Sequence, residues 1–346
     1  MSDSSIEIRQ ESEDALAAIE EYYRRGWTDG LPVVPPTETS VRAMLEAARL
    51  TPDQEIGRVP TRRRTLTAEK IAINAVMAGC LPAYMPVVVA AVEALCDPLF
   101  SVHGPSASTS GQAVLLIVNG PVARGLGIHG GENCFGPGPR ANATIGRAIR
   151  LILMNGLGAT PGVLDRSVFG HPGKFTYCIA ENEAESPWPP LHVERGCPAG
   201  RSAVTVLAAG APHQVANATA RTPEEILSTV ADTMSVAGRL SLSGQEFCIV
   251  IGPQHMTVIA RATWGKDEIR RFLHERAQRS AADLKRAGRL PGPIAPEDER
   301  KLLPAVLDSD DILVVAAGGW AGSYSVVIAG WAGREHSRAV TRLIPE

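Results

Sequence analysis

Three side chains that could take part in catalysis or metal binding lie close together in a loop rich in glycine and proline. Residues 127–140 read GIHGGENCFGPGPR and contain His129, Glu132 and Cys134. A thiol just ahead of a helix can have a lowered pKa, which makes Cys134 a candidate nucleophile, although most lone cysteines are small core residues. His129 is a further catalytic candidate. His129 and Glu132 could also bind a metal ion if a third ligand came from elsewhere.

A lysine and a glutamate flank the next polar region and form the preferred catalytic pair. Lys174, one of five lysines in the chain, stands just before an expected strand over 175–180, and Glu181 ends that strand. Burial can lower the pKa of a lysine and raise that of a glutamate, which would let them act as base and acid. The alternative is a surface ion pair worth less than about 1 kcal/mol.

Polar side chains recur in the Gly/Pro-rich loops 103–111, 127–142 and 169–183. Ligands of α/β sheets bind where the strands end, so we expect these loops to line one cavity, with solvated surface loops as the alternative. The expected substrate-binding residues are His103, Ser106, Ser108, Asn119, Asn133, Arg140, Asn142, His171, Asn182 and Glu183. In the nearby segment 191–196, the sequence favours an ion pair between Glu194 and Arg195, and His192 is a possible third metal ligand, as are His103 and His171.

Known nucleotide fingerprints are missing from the glycine-rich segments. FGPGPRA lacks the three spaced glycines of a dinucleotide-binding turn, and GHPGKF lacks the spacing and the hydroxyl residue of a phosphate loop. The sequence therefore predicts neither NAD nor ATP, and it leaves the cofactor unknown, with a metal possible. With 34 basic and 37 acidic residues and no charge run, it also predicts no nucleic-acid partner.

Targeting signals are also lacking. The acidic, polar start of the sequence is the opposite of a secretory signal, and no apolar run approaches the ~18 residues that a membrane span needs. The six cysteines form no C-x-x-C pair. We therefore expect a cytoplasmic protein with reduced thiols and no membrane partner.

Apolar runs and helical patterns alternate along the chain. The runs over 113–119, 203–208, 246–251 and 311–317 predict strands, and helices are expected over 11–26, 40–49, 67–79, 84–96, 141–155, 222–237, 255–263 and 265–287. Continuous apolar strands predict an α/β fold: mixed, partly parallel sheet layers with covering helices and long Gly/Pro-rich loops. The strand ends, with Asn119, His213, His255 and Gly318-Gly319, are expected at one sheet edge.

The expected organisation has three parts. Residues 1–60 form an N-terminal helical and extended arm, 61–200 a first α/β half that carries the polar loops, and 201–346 a second α/β half.

Four segments together resemble a bacterial family that occurs beside, or fused to, proteins with a UGSC selenocysteine or cysteine motif. They are GWTDGLPVVPPT, AINAVMAGCLPAYMPVV, FGPGPRANATIGRAIRLILMN and HPGKFTYCIAENEAESPWPPLHVERG, and the similarity covers nearly the whole chain. The UGSC proteins look like the thiol or selenol components of glycine- or proline-reductase-type enzymes. The resemblance therefore implies redox or carbon–heteroatom cleavage chemistry, but it assigns no catalytic residue to this chain.

Two positions depart from that family. A small apolar residue stands there in place of Cys134, and a His precedes Ser where this chain has Tyr324-Ser325. The UGSC motif itself is absent here, so any such thiol or selenol would belong to a separate partner chain.

The leading hypothesis is an enzyme subunit that acts on a small polar, carboxylate-bearing substrate. Its reaction would be of lyase type, or a reductive carbon–heteroatom cleavage with a UGSC-type partner protein. The alternatives are a non-catalytic substrate-binding subunit of a complex and a metal-dependent hydrolase that uses His and Glu ligands. A homo-oligomer is expected in each case.

Overall fold

The computed structural model describes residues 15–237 and 244–345 of the chain. The helix predicted over 11–26 is present as Ala15–Arg25, while positions 11–14 lie outside the described residues. Within the described ranges, no helix is both long enough and apolar enough to cross a membrane.

Most predicted helices are confirmed. Helix 222–237 begins as its sequence indicates: the Thr222 hydroxyl accepts the Glu225 N–H (3.3 Å), and the Glu225 carboxylate accepts the Thr222 N–H (3.3 Å). In the described part of the chain the α-helices are α1 (Ala15–Arg25), α2 (Glu38–Ala47), α3 (Ala68–Ala78), α4 (Met85–Cys96), α5 (His103–Ala107), α6 (Pro121–Gly125), α7 (Arg140–Leu151), α8 (Leu191–Glu194), α9 (Pro223–Val236), α10 (Pro253–Arg261), α11 (Lys266–Arg276) and α12 (Ala281–Arg286).

The four apolar runs are all strands. In chain order the strands are β1 (Glu55–Val59), β2 (Arg64–Thr67), β3 (Ala113–Asn119), β4 (Cys178–Ala180), β5 (Ala203–Ala209), β6 (His213–Ala216), β7 (Gln245–Ile251), β8 (Gln278–Ser280), β9 (Leu302–Pro304), β10 (Ile312–Ala316), β11 (Tyr324–Gly333) and β12 (Val340–Leu343).

One mixed sheet of eight strands forms the centre of the molecule. Its order is β10-β7-β11-β5-β3-β4, with β12 paired to β5 and β6 paired to β11. The pairs β10–β7 and β3–β4 are parallel, and the other pairs are antiparallel. The predicted fold class, a mixed and partly parallel α/β sheet with covering helices, is therefore confirmed.

Alternate residues of each central strand belong to different cores, which is why the runs are apolar throughout. In β3, Leu116 and Val118 pack under the helices of the N-terminal half, whereas Leu115 and Ile117 face a core shared with β7 and β10. Odd-numbered residues of β7, such as Phe247, pack under helices α9 to α11. Helices therefore cover the outer face of the sheet. On its inner face, side chains from different strands of the sheet pack against one another.

Two predicted elements are corrected. The helix expected over 265–287 is interrupted, because residues 278–280 form β8 and pair with β9 (302–304), a contact with a distant segment that local pattern does not encode. The strand expected over 175–180 is shortened to β4, since the 3-10 turn Pro172–Lys174 ends with Phe175 in a helical conformation. The division of the chain at residues 60 and 200 stays a prediction.

Candidate functional site

The carboxyl ends of β3, β4 and β10 meet at one junction. The Glu181 N–H donates to the Val118 carbonyl (3.2 Å), and the Asn182 N–H donates to the Ala316 carbonyl (2.7 Å). Beside the junction lies a cleft of about 780 Å³, here called the central cleft, whose walls come from residues 120–132, 180–200 and 318–320. Parts of the predicted loops 127–142 and 169–183 therefore line one cavity.

The third predicted loop, 103–111, does not reach the central cleft. It precedes β3, so it lies at the opposite end of that strand from Asn119. There the Ser167 hydroxyl donates to the Ser110 carbonyl (3.0 Å), and Ser106 lines a separate cavity of about 30 Å³ with Lys174. The prediction that all three loops line one cavity is wrong for this loop.

The prediction that the ends of the four apolar strands lie at one sheet edge is also only partly confirmed. Because β5 runs antiparallel to β3, Ala209 at its end lies opposite Ala113, and the following His213 lies far from Asn119 along the sheet. His255 is buried on α10, where its Nδ1 is 2.8 Å from the Ser325 hydroxyl and its Nε2 is 3.1 Å from the Asn217 carbonyl. Both imidazole nitrogens thus join α10 to the sheet. Gly318 and Gly319 do line the central cleft.

Glu181 is the most heavily bonded carboxylate of the site. Its side chain is fully buried, and one oxygen accepts hydrogen bonds from the Asn119 amide (2.7 Å) and the Leu191 N–H (2.6 Å). The other oxygen lies 3.1 Å from the Lys266 ammonium and 3.4 Å from the Ala316 N–H. Four donors therefore surround this buried carboxylate, and both of its oxygens have partners.

The predicted partner of Glu181, Lys174, is engaged elsewhere. Its ammonium contacts both Asp165 oxygens (2.8 and 2.7 Å) and the Ser167 hydroxyl (2.6 Å), and Arg150 also reaches Asp165 (3.2 Å). Burial lowers the pKa of Lys174, as proposed, and the Asp165 carboxylate opposes that shift. In the described structure no hydrogen bond or ion pair joins Lys174 to Glu181. The two side chains line different cavities, so their pairing is wrong.

Glu183 and Asn119 form a second polar contact at the junction. The Asn119 amide donates to Glu183 (2.9 Å) as well as to Glu181, and the Gly120 N–H donates to the same Glu183 oxygen (2.7 Å). Gly120 has a φ of +86°, and a Cβ there would meet the Arg201 carbonyl at 2.4 Å, so this tight approach requires glycine. Asn119 therefore fixes the two predicted carboxylates relative to each other, and Asn182, as predicted, lines the cleft beside them.

His192 is the unusual residue of the central cleft. It is 1% exposed, lines the cleft, and neither ring nitrogen has a hydrogen-bond partner in the described protein. Buried polar groups are almost always paired, because leaving one unpaired costs about 1–3 kcal/mol. This imidazole therefore has donor and acceptor capacity that the described protein does not use.

The loop that carries His129 is fastened by Asn142, which was expected to bind substrate. The Asn142 side chain accepts the His129 N–H (2.7 Å) and donates to the carbonyls of His129 (2.9 Å) and Cys134 (3.4 Å). Asn142 is buried near the start of α7, so it joins the loop to the helix. The structure thus gives Asn142 a structural role in shaping the cleft wall.

His129 and Glu132 both line the cleft, but they do not present a paired set of metal ligands. The His129 Nε2 lies 2.7 Å from the Glu132 backbone carbonyl. His103 is bonded to Arg62 (3.2 Å), and His171 lies 3.3 Å from the Ala209 carbonyl, so neither supplies the third ligand. Across the described residues, no three His, Cys, Asp or Glu side chains are grouped to hold a metal ion.

Cys134 lies behind the cleft rather than in it. Burial raises the pKa of its thiol to about 11, so the helix beyond it does not produce a thiolate at neutral pH. The expected lowering of its pKa is therefore wrong. Cys134, Asn133 and Glu132 line a neighbouring cavity of about 310 Å³, which adjoins the central cleft at Glu132, Gly318 and Gly319.

The remaining predicted residues serve local structure. The Arg140 guanidinium donates to the Gly79 carbonyl (3.1 and 2.9 Å), and the Asn133 amide donates to the Pro137 carbonyl (3.1 Å). The Ser108 hydroxyl accepts the Ser110 N–H (3.1 Å), and Arg62 donates to Ser106 (2.5 Å). The His171 Nδ1 accepts the Gly173 N–H (3.1 Å), and burial lowers the pKa of this imidazole.

Two important residues were not among the predicted site residues. His192 was considered only as a metal ligand, and Lys266 only as one lysine among five. Lys266 is 4% exposed and contacts both Glu181 (3.1 Å) and Glu194 (2.7 Å). The predicted Glu194–Arg195 pair is replaced: Glu194 also binds Arg270 (2.7 Å), and Arg195 donates to Thr341 (2.6 Å) and the Ala339 carbonyl (2.7 Å). The sequence signal that could have identified Lys266 was the rarity of lysine in this Arg-rich chain.

Comparison with known proteins adds no relative: neither the protein-family models nor the curated proteins contain a significant match to this chain.

Proposed function

We propose that this chain is an enzyme subunit that acts on a small polar molecule in the central cleft, with His192 as the acid–base group. The observation that carries this proposal is the buried His192 imidazole at the cleft wall, which has no partner in the described protein. An unpaired buried group costs stability, so a ligand-dependent role explains its presence better than packing does. A cleft of about 780 Å³ is of ordinary size for a small-molecule site.

A carboxylate-bearing substrate would bind with its charged end towards Arg124. This residue lines the cleft, and its guanidinium has no hydrogen-bond partner among the described residues. The other charged lining residues are acidic and include Glu132, Glu183 and Glu185, which would repel a carboxylate placed beside them. The charge distribution therefore favours one orientation of such a substrate.

The proposed reaction is of lyase type, or a reductive carbon–heteroatom cleavage with a thiol or selenol partner protein. In either reaction His192 would remove a proton from the substrate or protonate the leaving group. No cysteine is among the residues that line the central cleft, and the neighbouring Cys134 thiol has a pKa of about 11. A thiol step would consequently depend on the partner.

Cytoplasmic location and self-association belong to the same proposal. All six cysteines are free, which suits a reducing compartment. Three apolar side chains of one loop are largely exposed, namely Val163 (72%), Val168 (69%) and Phe169 (97%). Their exposure supports a surface that a second copy of the chain could cover.

The test compares His192→Gln with His213→Gln, which changes an exposed histidine outside the cleft. Each protein is mixed with small 2-hydroxy, 2-oxo and 2-amino carboxylates, with and without dithiothreitol as a simple thiol. Binding and conversion are followed by NMR. Wild type and His213→Gln should bind and convert the same compound, while His192→Gln should lose about 10²- to 10⁴-fold in turnover.

Each other outcome has a distinct meaning. Binding by wild type without conversion, weakened in His192→Gln, would support the alternative of a non-catalytic substrate-binding subunit. Equal binding and turnover in all three proteins would refute the role of His192. The melting temperature of His192→Gln should stay close to that of wild type, because the substitution replaces one unpaired buried polar group with another.

A further inference from the structure

We infer that Lys266 is a positioning residue for His192, an inference that rests on the proposed function of that imidazole. His192 lies in α8, which has only four residues. The single ammonium of Lys266 contacts the two carboxylates that hold the two ends of this helix.

The contacts form a clamp around α8. At the first residue of the helix, the Leu191 N–H donates to Glu181 (2.6 Å), whose other oxygen lies 3.1 Å from the Lys266 ammonium. At the last residue, Glu194 accepts from the same ammonium (2.7 Å) and from Arg270 (2.7 Å). Lys266 itself is the first residue of α11, so the clamp fastens the His192 turn to a longer helix.

The backbone hydrogen bonds of α8 are too few to fix His192 by themselves. One turn of helix is unstable alone, since nucleation restricts several residues for few hydrogen bonds. The backbone supplies contacts of Glu194 N–H with the Pro190 carbonyl (3.2 Å) and of Arg195 N–H with the Leu191 carbonyl (3.0 Å). The His192 ring makes no hydrogen bond of its own, so its place in the cleft wall depends on where the turn is held.

Charge makes Lys266 the central part of the clamp. The other donors to Glu181 are neutral: the Asn119 amide and the N–H groups of Leu191 and Ala316. Removing the ammonium would leave a fully buried carboxylate without a contacting cation and would weaken both anchors together. Arg270 would still hold Glu194. The first end of α8 should therefore loosen more than the second.

The experiment compares Lys266→Met, Lys266→Arg and a matched control, Lys285→Met. Lys285 also forms a largely buried ion pair, with Asp298 (2.5 Å), but it does not line the central cleft. Hydrogen exchange of the amides of residues 191–195 is measured by NMR against that of β3, together with the His192 ring resonances.

In Lys266→Met, exchange at residues 191–195 should accelerate at least about tenfold more than in β3, and the His192 ring resonances should shift or broaden. Lys266→Arg should restore much of the protection because it keeps the charge. In Lys285→Met, hydrogen exchange at residues 191–195 should change by no more than it does in β3.

The inference is overturned if residues 191–195 in Lys266→Met keep their wild-type exchange relative to β3 and the His192 resonances are unchanged. If that variant does not fold, Lys266→Arg and Glu194→Gln serve instead, and unchanged protection in Glu194→Gln would equally refute the clamp. Neither result bears on the ligand tests of His192→Gln, so failure of the inference and failure of the proposed function are distinguishable.

Discussion

Glu181 and Lys266 form a buried ion pair with a separation of 3.1 Å, although their positions in the chain are 85 residues apart. Glu181 follows β4, and Lys266 begins α11, so the pair joins the segment after β4 to this helix. Both side chains are almost completely withdrawn from solvent, at 0% and 2% exposure. Such a pair is sensitive to the loss of one partner more than to the loss of both.

A double-mutant cycle on this pair should show strong coupling. Lys266→Met should lower the free energy of unfolding by about 3–5 kcal/mol, because it leaves the buried Glu181 carboxylate without a contacting cation. Glu181→Gln should cost less, because the Lys266 ammonium keeps its contact with Glu194 (2.7 Å). The double variant should lose clearly less than the sum of the two single losses. Urea unfolding measures all four proteins, and additive losses would show that the pair is not energetically coupled.

Asn142→Ala should release the loop that forms one wall of the central cleft. The substitution removes three hydrogen bonds, two to the His129 backbone and one to the Cys134 carbonyl, and should cost about 1–3 kcal/mol. Amide exchange over residues 127–138 should rise beyond the global change. Asn155→Ala is the control, since Asn155 binds the Trp27 carbonyl (3.0 Å) and Asn74 (2.8 Å) instead. Equal exchange in both variants would argue against a fastening role for Asn142.

The cysteines should react with maleimide in an order set by burial. Cys197 is half-buried, whereas Cys134 and Cys248 are buried, with thiol pKa values raised by burial to about 11 and 12. At pH 7.5 we expect Cys197 to be modified first, with Cys134 and Cys248 protected until the protein unfolds. Mass spectrometry of timed samples identifies the sites. Rapid native labelling of Cys134 would revive it as a candidate nucleophile.

Stability near neutral pH should depend on His255. Burial lowers the pKa of this imidazole, so below about pH 6.5 the unfolded chain takes up a proton that the folded chain resists. Its contribution to the free energy of unfolding therefore falls as pH decreases from about 7 towards 5. His255→Gln should show a smaller fall than wild type over this range.

Urea unfolding at each pH gives the free energy of unfolding of both proteins, and the difference between the two values isolates the contribution of His255. Glu246 and Asp311 have pKa values raised by burial and act in the opposite direction, but they contribute equally to both proteins. Parallel curves for wild type and His255→Gln would contradict the predicted contribution of His255.

Local sequence was sufficient for most of the predicted helices, for the four apolar strands and for the fold class. The apolar run of β3 (113–119) predicted a strand covered on both faces, and its residues do alternate between two cores. The residue types Thr222 and Glu225 at the start of α9 are those of a capping box, which the structure contains. These features depend on backbone preference and burial, which neighbouring residues largely determine.

The sequence by itself also identified three polar loops, and parts of two of them, 127–142 and 169–183, line the central cleft, whereas 103–111 does not. Only the tertiary structure decided which groups meet there. The antiparallel pairing of β3 with β5, and the position of loop 103–111 before β3, place His213 and that loop away from Asn119. The approach of α11 to β4 gives Glu181 the partner Lys266 in place of Lys174. Such partnerships depend on which distant segments become neighbours, a long-range outcome that local periodicity and residue type do not encode.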